Sequence, residues 1–204
     1  MYSQGLYQKY SYGRHWEQHP TIYAESFAEF LKNINFKGLI VDIGCGNGRD
    51  SHYFASLGHI VTAVDLSEQA IAVVKGYKHR NIIPICADIA GLNGLEVDAV
   101  YSRFSLHSVP EETEDKFLTW AAGTLPRNGR LFIEARSDKG LAEGDLIFGN
   151  DHYRRLLNYE SLATKITELG FNITFSVEDK GLAVYQKEEM VEDPYVVRFV
   201  AQKK

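Results

Sequence analysis

A chain of 204 residues, 45% hydrophobic and 24% charged, is long enough to bury one α/β core and too short for two large domains. Its formal net charge of −5 argues against a nucleic-acid backbone as the main partner, because such binders carry a basic footprint. The N-terminus has no apolar secretory core and no stretch reaches the ~20 apolar residues of a membrane helix. Cys45 and Cys86 read as small buried hydrophobes rather than a disulfide pair, and no Cys or His pair has metal-ligand spacing, so a cytoplasmic protein without a metal site is expected.

Residues 2 to 19 are rich in tyrosine, including Tyr7 and Tyr12, and show no clear period. They read either as a loosely packed extension or as a cover over a site further along. From Pro20 to Lys32, Ile22, Ser26 and Phe30 form one i, i+4 ladder and Tyr23, Phe27 and Leu31 the next, which predicts an amphipathic helix. Residues 1–34 therefore form an N-terminal segment ahead of a main domain over 35–204.

The stretch Leu39 to Ser67 organises that domain. An apolar run (Leu39, Ile40, Val41) meets Asp42, then three glycines two apart (Gly44, Gly46, Gly48), a short helical pattern, and a second apolar run ending at Asp65. This predicts strand, turn, helix, strand, with backbone N–H groups and a helix N-terminus at the turn. A dinucleotide turn spaces its glycines G-x-G-x-x-G, whereas here they read G-x-G-x-G behind an acid that would repel a pyrophosphate. The pattern favours a cationic ligand. S-adenosylmethionine (SAM), a sulfonium with an amino-acid tail and no phosphate, qualifies, and Asp65 is placed to accept from both ribose hydroxyls.

With these residues the sequence resembles the class I SAM-dependent methyltransferases from Leu39 to roughly Lys203. The resemblance implies an α/β, Rossmann-like, seven-stranded, mostly parallel sheet with one antiparallel edge strand and helices on both faces. SAM would be the cofactor and S-adenosylhomocysteine (SAH) the product, bound by Asp42, Gly44, Cys45, Gly46, Gly48, Asp65, Leu66, Asp88, Ile89 and Ser102. Asp88 and Ile89 follow the third strand, where an acid of this family accepts from the adenine amino group. The N-terminal segment commonly forms a lid in the family, which would bring Tyr7 and Tyr12 to the substrate. A small-molecule acceptor, no nucleic-acid or membrane partner, and a monomer or homodimer are expected.

Further along, Ser67 caps a helix carrying Ala70, Ile71 and Val74 and closed by Gly76. Asn81 to Cys86 is the predicted third strand and Leu95 to Ser102 the fourth, whose exit, Arg103 to His107, enters the cleft. Ser108 to Glu111 reads as a capping box before a helix through Phe117, Leu118, Ala121 and Leu125. Arg130 to Ala135 is the fifth strand, Tyr159 to Leu169 a helix, and Phe171 to Val177 and Tyr195 to Ala201 the last strands. The long connection Arg136 to Asn158 reads as a substrate-selecting insert, and the segment Glu178 to Pro194 as a further wall.

Methyl transfer from a sulfonium is an in-line displacement that needs positioning and exclusion of water more than a base. His107 is the candidate base, with a structural histidine as the alternative. Arg103 and Arg136 leave core strands at the ligand edge and, with His152 and Arg154, would hold an anionic acceptor through guanidinium forks, with Glu134, near the end of the fifth strand, pairing one of the two; Arg155 reads as solvated surface charge. No Asp/Asn-Pro-Pro-Tyr and no Pro-Cys follow the fourth strand, so the sequence is similar to the small-molecule branch. GCGNGRDSHYFASLGHIVTAVD resembles tellurite-resistance and thiopurine-type methyltransferases. YSRFSLHSV, FIEARS, HYRR and DPYVVRFVA resemble those of bacterial surface-polysaccharide clusters, including enzymes that methylate phosphoramidate groups. A nicotinamide oxidoreductase and a SAM-binding regulatory domain are the competing readings.

Overall fold

The computed structural model describes residues 27–31, 36, 38–88, 92, 94–140, 155–187 and 190–204. Helix α1 (Phe27–Leu31) belongs to the helix expected over Pro20 to Lys32, whose other residues lie outside that set. Then come β1 (Leu39–Ile43), α2 (Arg49–Ser56), β2 (Ile60–Asp65), α3 (Glu68–Gly76), β3 (Ile82–Cys86), β4 (Ala99–Arg103), α4 (Glu111–Thr124), β5 (Arg130–Arg136), α5 (Tyr159–Glu168), β6 (Phe171–Asp179), a small hairpin of β7 (Tyr185–Lys187) and β8 (Met190–Glu192), and β9 (Val196–Lys203).

Seven strands form one sheet in the order β3-β2-β1-β4-β5-β9-β6. β1 through β5 pair in parallel, and the antiparallel pairing is confined to one end, where β9 lies between β5 and the edge strand β6. The strand order reverses between β1 and β4, which both leave the sheet at the same edge. Open α/β sheets bind ligands in the crevice this creates.

Burial explains the apolar strands. β1 and β4 are central and covered on both faces, so they read as continuous hydrophobic runs rather than alternating ones. One core packs α4 and α5 through Phe117, Leu118, Leu162 and Ile166 against Val100, Ile133 and Phe199; the other packs α1 and α2 through Phe27 and Phe54 against Tyr101, Phe132 and Val200. The Ser67 hydroxyl accepts from the Ala70 N–H at 3.2 Å, as the sequence predicts for that cap.

Two expectations need correction. β4 begins at Ala99, not Leu95, because Asp98 ends the approach by accepting the Leu39 N–H at its carboxylate (2.8 Å). Ser108 caps nothing: Leu106–Ser108 is a 3₁₀ turn that carries the hydroxyl inward, and Pro110 stands at the helix N-cap in extended conformation. Proline also disfavours helical backbone in the residue before it, which separates the two turns. Glu111, Glu112 and Glu114 supply the negative charge that a helix N-terminus favours.

Candidate cofactor and acceptor site

The glycine turn is built where β1 stops. Gly44 and Cys45 both donate their N–H to the Val64 carbonyl of β2, at 2.8 and 3.0 Å, which pulls the turn across the end of the neighbouring strand. Gly44, Gly46 and Gly48 take φ values of 71°, 54° and 75°, all in the left-handed region that disfavours side chains. Their surroundings differ. A Cβ on Gly44 would lie 2.0 Å from Ser105 Oγ and one on Gly48 2.7 Å from Val74 Cγ2, whereas one on Gly46 meets no atom within 4 Å. Gly44 and Gly48 are thus glycine for packing and backbone shape, and Gly46 for backbone shape at an open face.

Asp65 anchors the turn from behind. One carboxylate oxygen accepts from the Gly46 N–H and the other from the Ser67 N–H, each at 2.9 Å, so this side chain holds both the turn and the start of α3. A carboxylate has about four acceptor sites, so the side chain keeps acceptor capacity for a ligand. Burial raises the Asp65 pKa against the pull of the Ser67, Gly46 and Leu66 amides. Leu66, half-buried, follows it, and Asp88 is exposed two residues beyond β3. This donor set fits a SAM ribose and methionine moiety: an acid with spare acceptor sites, an open glycine face, and an exposed acid at the carboxyl end of β3.

Asp42 does not reach that face. It is 2% exposed and accepts from the Ser51 hydroxyl at 2.5 Å, pinning α2 to β1, and burial raises its carboxyl to about 7 with help from Asp50. Ser102, expected to touch the cofactor, is fully buried on β4 with no partner for its hydroxyl among the described residues, so it contacts nothing at the surface. Burial pushes the half-buried Cys45 thiol up, which keeps it protonated. Cys86 is exposed rather than the buried hydrophobe expected; neither cysteine is in a disulfide. Ile89, Tyr7, Tyr12, His152 and Arg154 lie outside the described residues.

His107 is turned inward. It is 2% exposed, its Nδ1 accepts the Arg136 N–H at 3.3 Å, and its carbonyl accepts the Arg155 N–H. The Arg136 N–H therefore occupies the Nδ1 lone pair. This buried, Nδ1-bonded ring is the arrangement of the structural alternative for His107.

The sequence assigns the arginines an anionic acceptor and pairs one of them with Glu134; the Glu134 pairing is present, and the chain supplies the other anions as well. Arg103 Nε donates to Glu134 at 2.6 Å and its Nη1 to Asp50 at 3.4 Å, with its side chain 8% exposed. Arg136 pairs with Glu192 of the hairpin. Arg155, read as surface charge, is ion-paired with buried Glu114. The repulsion between an arginine and a sulfonium is therefore offset within the protein.

Sequence reasoning missed several residues here. Phe104 adopts a φ of 54°, unusual for a bulky side chain, and so turns the chain sharply as it leaves β4. That turn sets Ser105 against Gly44, its hydroxyl 3.2 Å from the Ile43 carbonyl and 3.3 Å from that of Gly44. Asp50 was legible only as an acid in the first turn of a helix, although it accepts from Tyr101, Arg103 and Arg49.

A parallel sheet reversing between β1 and β4, a glycine turn after β1, and an acid closing β2 define the Rossmann-like fold of the SAM-dependent methyltransferases. Residues 41–133 match the sequence family described as "Methyltransferase domain". The chain is 28% identical over 128 residues to the ubiquinone biosynthesis O-methyltransferase of Xanthomonas axonopodis pv. citri (strain 306), covering 58% of this chain and 51% of that protein. It thus spans about half the length of that curated relative. Among solved structures it resembles TehB from Haemophilus influenzae (TM-score 0.70, 21% identity, 87% of this chain and 61% of that one). It also resembles the 1,6-didemethyltoxoflavin-N1-methyltransferase of Burkholderia thailandensis, whose structure holds its substrate and SAH (TM-score 0.68, 21% identity, 87% and 76%). SAM is the methyl donor of this class.

Proposed function

We propose that this chain transfers a methyl group from SAM to an oxygen of a small-molecule acceptor. The observation that carries the reading is the turn itself: an open, left-handed Gly46 whose N–H is fixed by an Asp65 carboxylate that retains acceptor capacity. The O-methyltransferase name of the relative in Xanthomonas supports oxygen as the acceptor atom. When bound, SAM supplies an already activated methyl group. The chain's own residues then have three tasks: Asp65 receives the ribose, the Gly44–Gly48 turn receives the amino-acid tail, and the exit of β4 at Phe104 and Ser105 faces the acceptor.

An acceptor bearing a phosphate, phosphoramidate or carboxylate enters this reading through Arg136, by exchange for Glu192. Arg103 is too deeply paired to take part. Binding comes first in the test: calorimetry should find SAH bound and NAD(P)H not bound, and the reverse would favour an oxidoreductase. A turnover screen detecting SAH, over phenols, phosphorylated and carboxylated metabolites and sugar nucleotides, then reads the acceptor. SAH binding with no turnover on any acceptor would favour a regulatory domain.

A further inference from the structure

Behind the cofactor turn runs a chain of charges of alternating sign. Arg49 Nε donates to Asp50 at 2.8 Å; Asp50 accepts from Arg103; Arg103 donates to one oxygen of Glu134, and Arg198 Nε to the other at 2.5 Å. Arg198 also donates to the Leu182 carbonyl at 2.7 Å, with its guanidinium 5.3 and 5.7 Å from the ring centres of Phe27 and Phe30. Glu134 is fully buried and Arg198 4% exposed. The links join α2, β4, β5, β9, α1 and the loop before the β7–β8 hairpin.

Buried ions are a poor route to stability, because well-packed apolar residues of the same volume hold strands together as well. Removing one member, however, strands the others as uncompensated buried charges. Losing any one link of such a series therefore disturbs its neighbours. Its ends are then fixed relative to each other. One end is the Arg49–Asp50 pair, in the first turn of the helix that follows Gly48. The other is α1 and the Leu182 loop, which leads into the β7–β8 hairpin that Arg136 and Glu192 tie to β5.

We propose that Glu134 and Arg198 are positioning residues for SAM: through Arg103 and Asp50 they hold the glycine turn and the acceptor-side wall in one arrangement, so that cofactor affinity depends on a residue three strands away from β1. The inference rests on the methyl-donor reading above. Calorimetry of SAH binding, with melting temperatures measured alongside, tests it. Arg198→Lys keeps the charge but loses the fork to Glu134 and Leu182, and should weaken SAH about tenfold. Glu134→Gln should do likewise. Lys165→Met, which breaks an ion-pair cluster with Glu111, Glu114 and Asp115 on α4, should lower the melting temperature and leave SAH affinity unchanged.

Wild-type affinity in folded Arg198→Lys overturns the proposal alone, whereas wild-type protein that binds no SAH overturns the donor reading with it. Amide exchange on the unmodified chain gives the same answer without a substitution. Protection by SAH that extends to residues 181–184 supports the link, and protection confined to residues 44–67 overturns it.

Discussion

The contrast between Gly44 and Gly46 separates the fold from the ligand at two positions only two residues apart. Alanine at Gly46 must hold a φ of 54°, at a cost of about 1–2 kcal/mol for an L-residue in the left-handed region, and its Cβ meets nothing within 4 Å. In a domain of this size each kcal/mol moves the melting temperature by roughly 2–4 °C, so Gly46→Ala should melt about 2–8 °C lower. Alanine at Gly44 carries the same backbone cost at φ 71° and also drives a methyl to within 2.0 Å of Ser105 Oγ and 2.6 Å of its Cβ. That overlap adds about 1–3 kcal/mol of strain, so Gly44→Ala should melt lower still. Affinity should rank differently. The Gly46 methyl points toward the face assigned to the methionine tail, so SAH binding should weaken at least tenfold, about 1.4 kcal/mol, in a protein that remains folded. Thermal melts with and without SAH, together with calorimetry, read both quantities. Gly46→Ala that binds SAH like the wild type would refute the placement of the cofactor at this turn.

Asp65→Ala removes the acceptor for both Gly46 and Ser67 and should cost about 1.5–3 kcal/mol of SAH affinity, the range for hydrogen bonds to a charged group; an unchanged dissociation constant would take Asp65 out of the ribose site. Asp42, raised to about 7 in the fold from an ordinary value of 3.8, binds a proton more readily folded than unfolded. Its contribution is full below pH 4 and is lost as pH rises through about 7, so Asp42→Asn should flatten the fall in melting temperature between pH 4 and 7; parallel curves for variant and wild type would contradict this. His107→Asn keeps an acceptor toward the Arg136 amide and should keep most turnover, whereas loss of a general base would cost about 10²–10⁴-fold.

Most of the sheet was legible because its signals are local. Apolar runs bounded by glycine and acid mark β1 and β2, and Ser67 marks the start of α3. The turn of the candidate site was legible because glycines two apart imply a turn whatever surrounds them. What could not be read were properties set by packing. Nothing around Ser102 or Ser108 in the chain says that their hydroxyls face inward, and a histidine after a strand has the same sequence whether its ring meets solvent or, like His107, the amide of Arg136. Phe104 was missed because propensity gives no reason to expect a bulky aromatic in left-handed backbone; the turn that Ser105 and Gly44 require over-determines it.

The arginines show the same limit in electrostatic form. Leaving a core strand at the ligand-binding edge does fix where Arg103 and Arg136 begin, but the charge they meet comes from far along the chain: Glu134 lies 31 residues from Arg103, Glu192 56 from Arg136, and Glu134 64 from Arg198. An ion buried without a partner would change protonation or unfold its surroundings, so each strand-end arginine had to find a carboxylate. The fold provided them by aligning Arg103 with Glu134 and Glu134 with Arg198 in neighbouring registers of β4, β5 and β9. Cations at the mouth of a cleft therefore say little about the charge of a substrate until the carboxylates that share it are placed. Here the pairings differ in burial: Glu134 is sealed, while the Glu192 side chain is 36% exposed. On the function proposed above, that difference would leave Arg136 as the arginine for an anionic acceptor to engage, while Arg103 belongs to the frame.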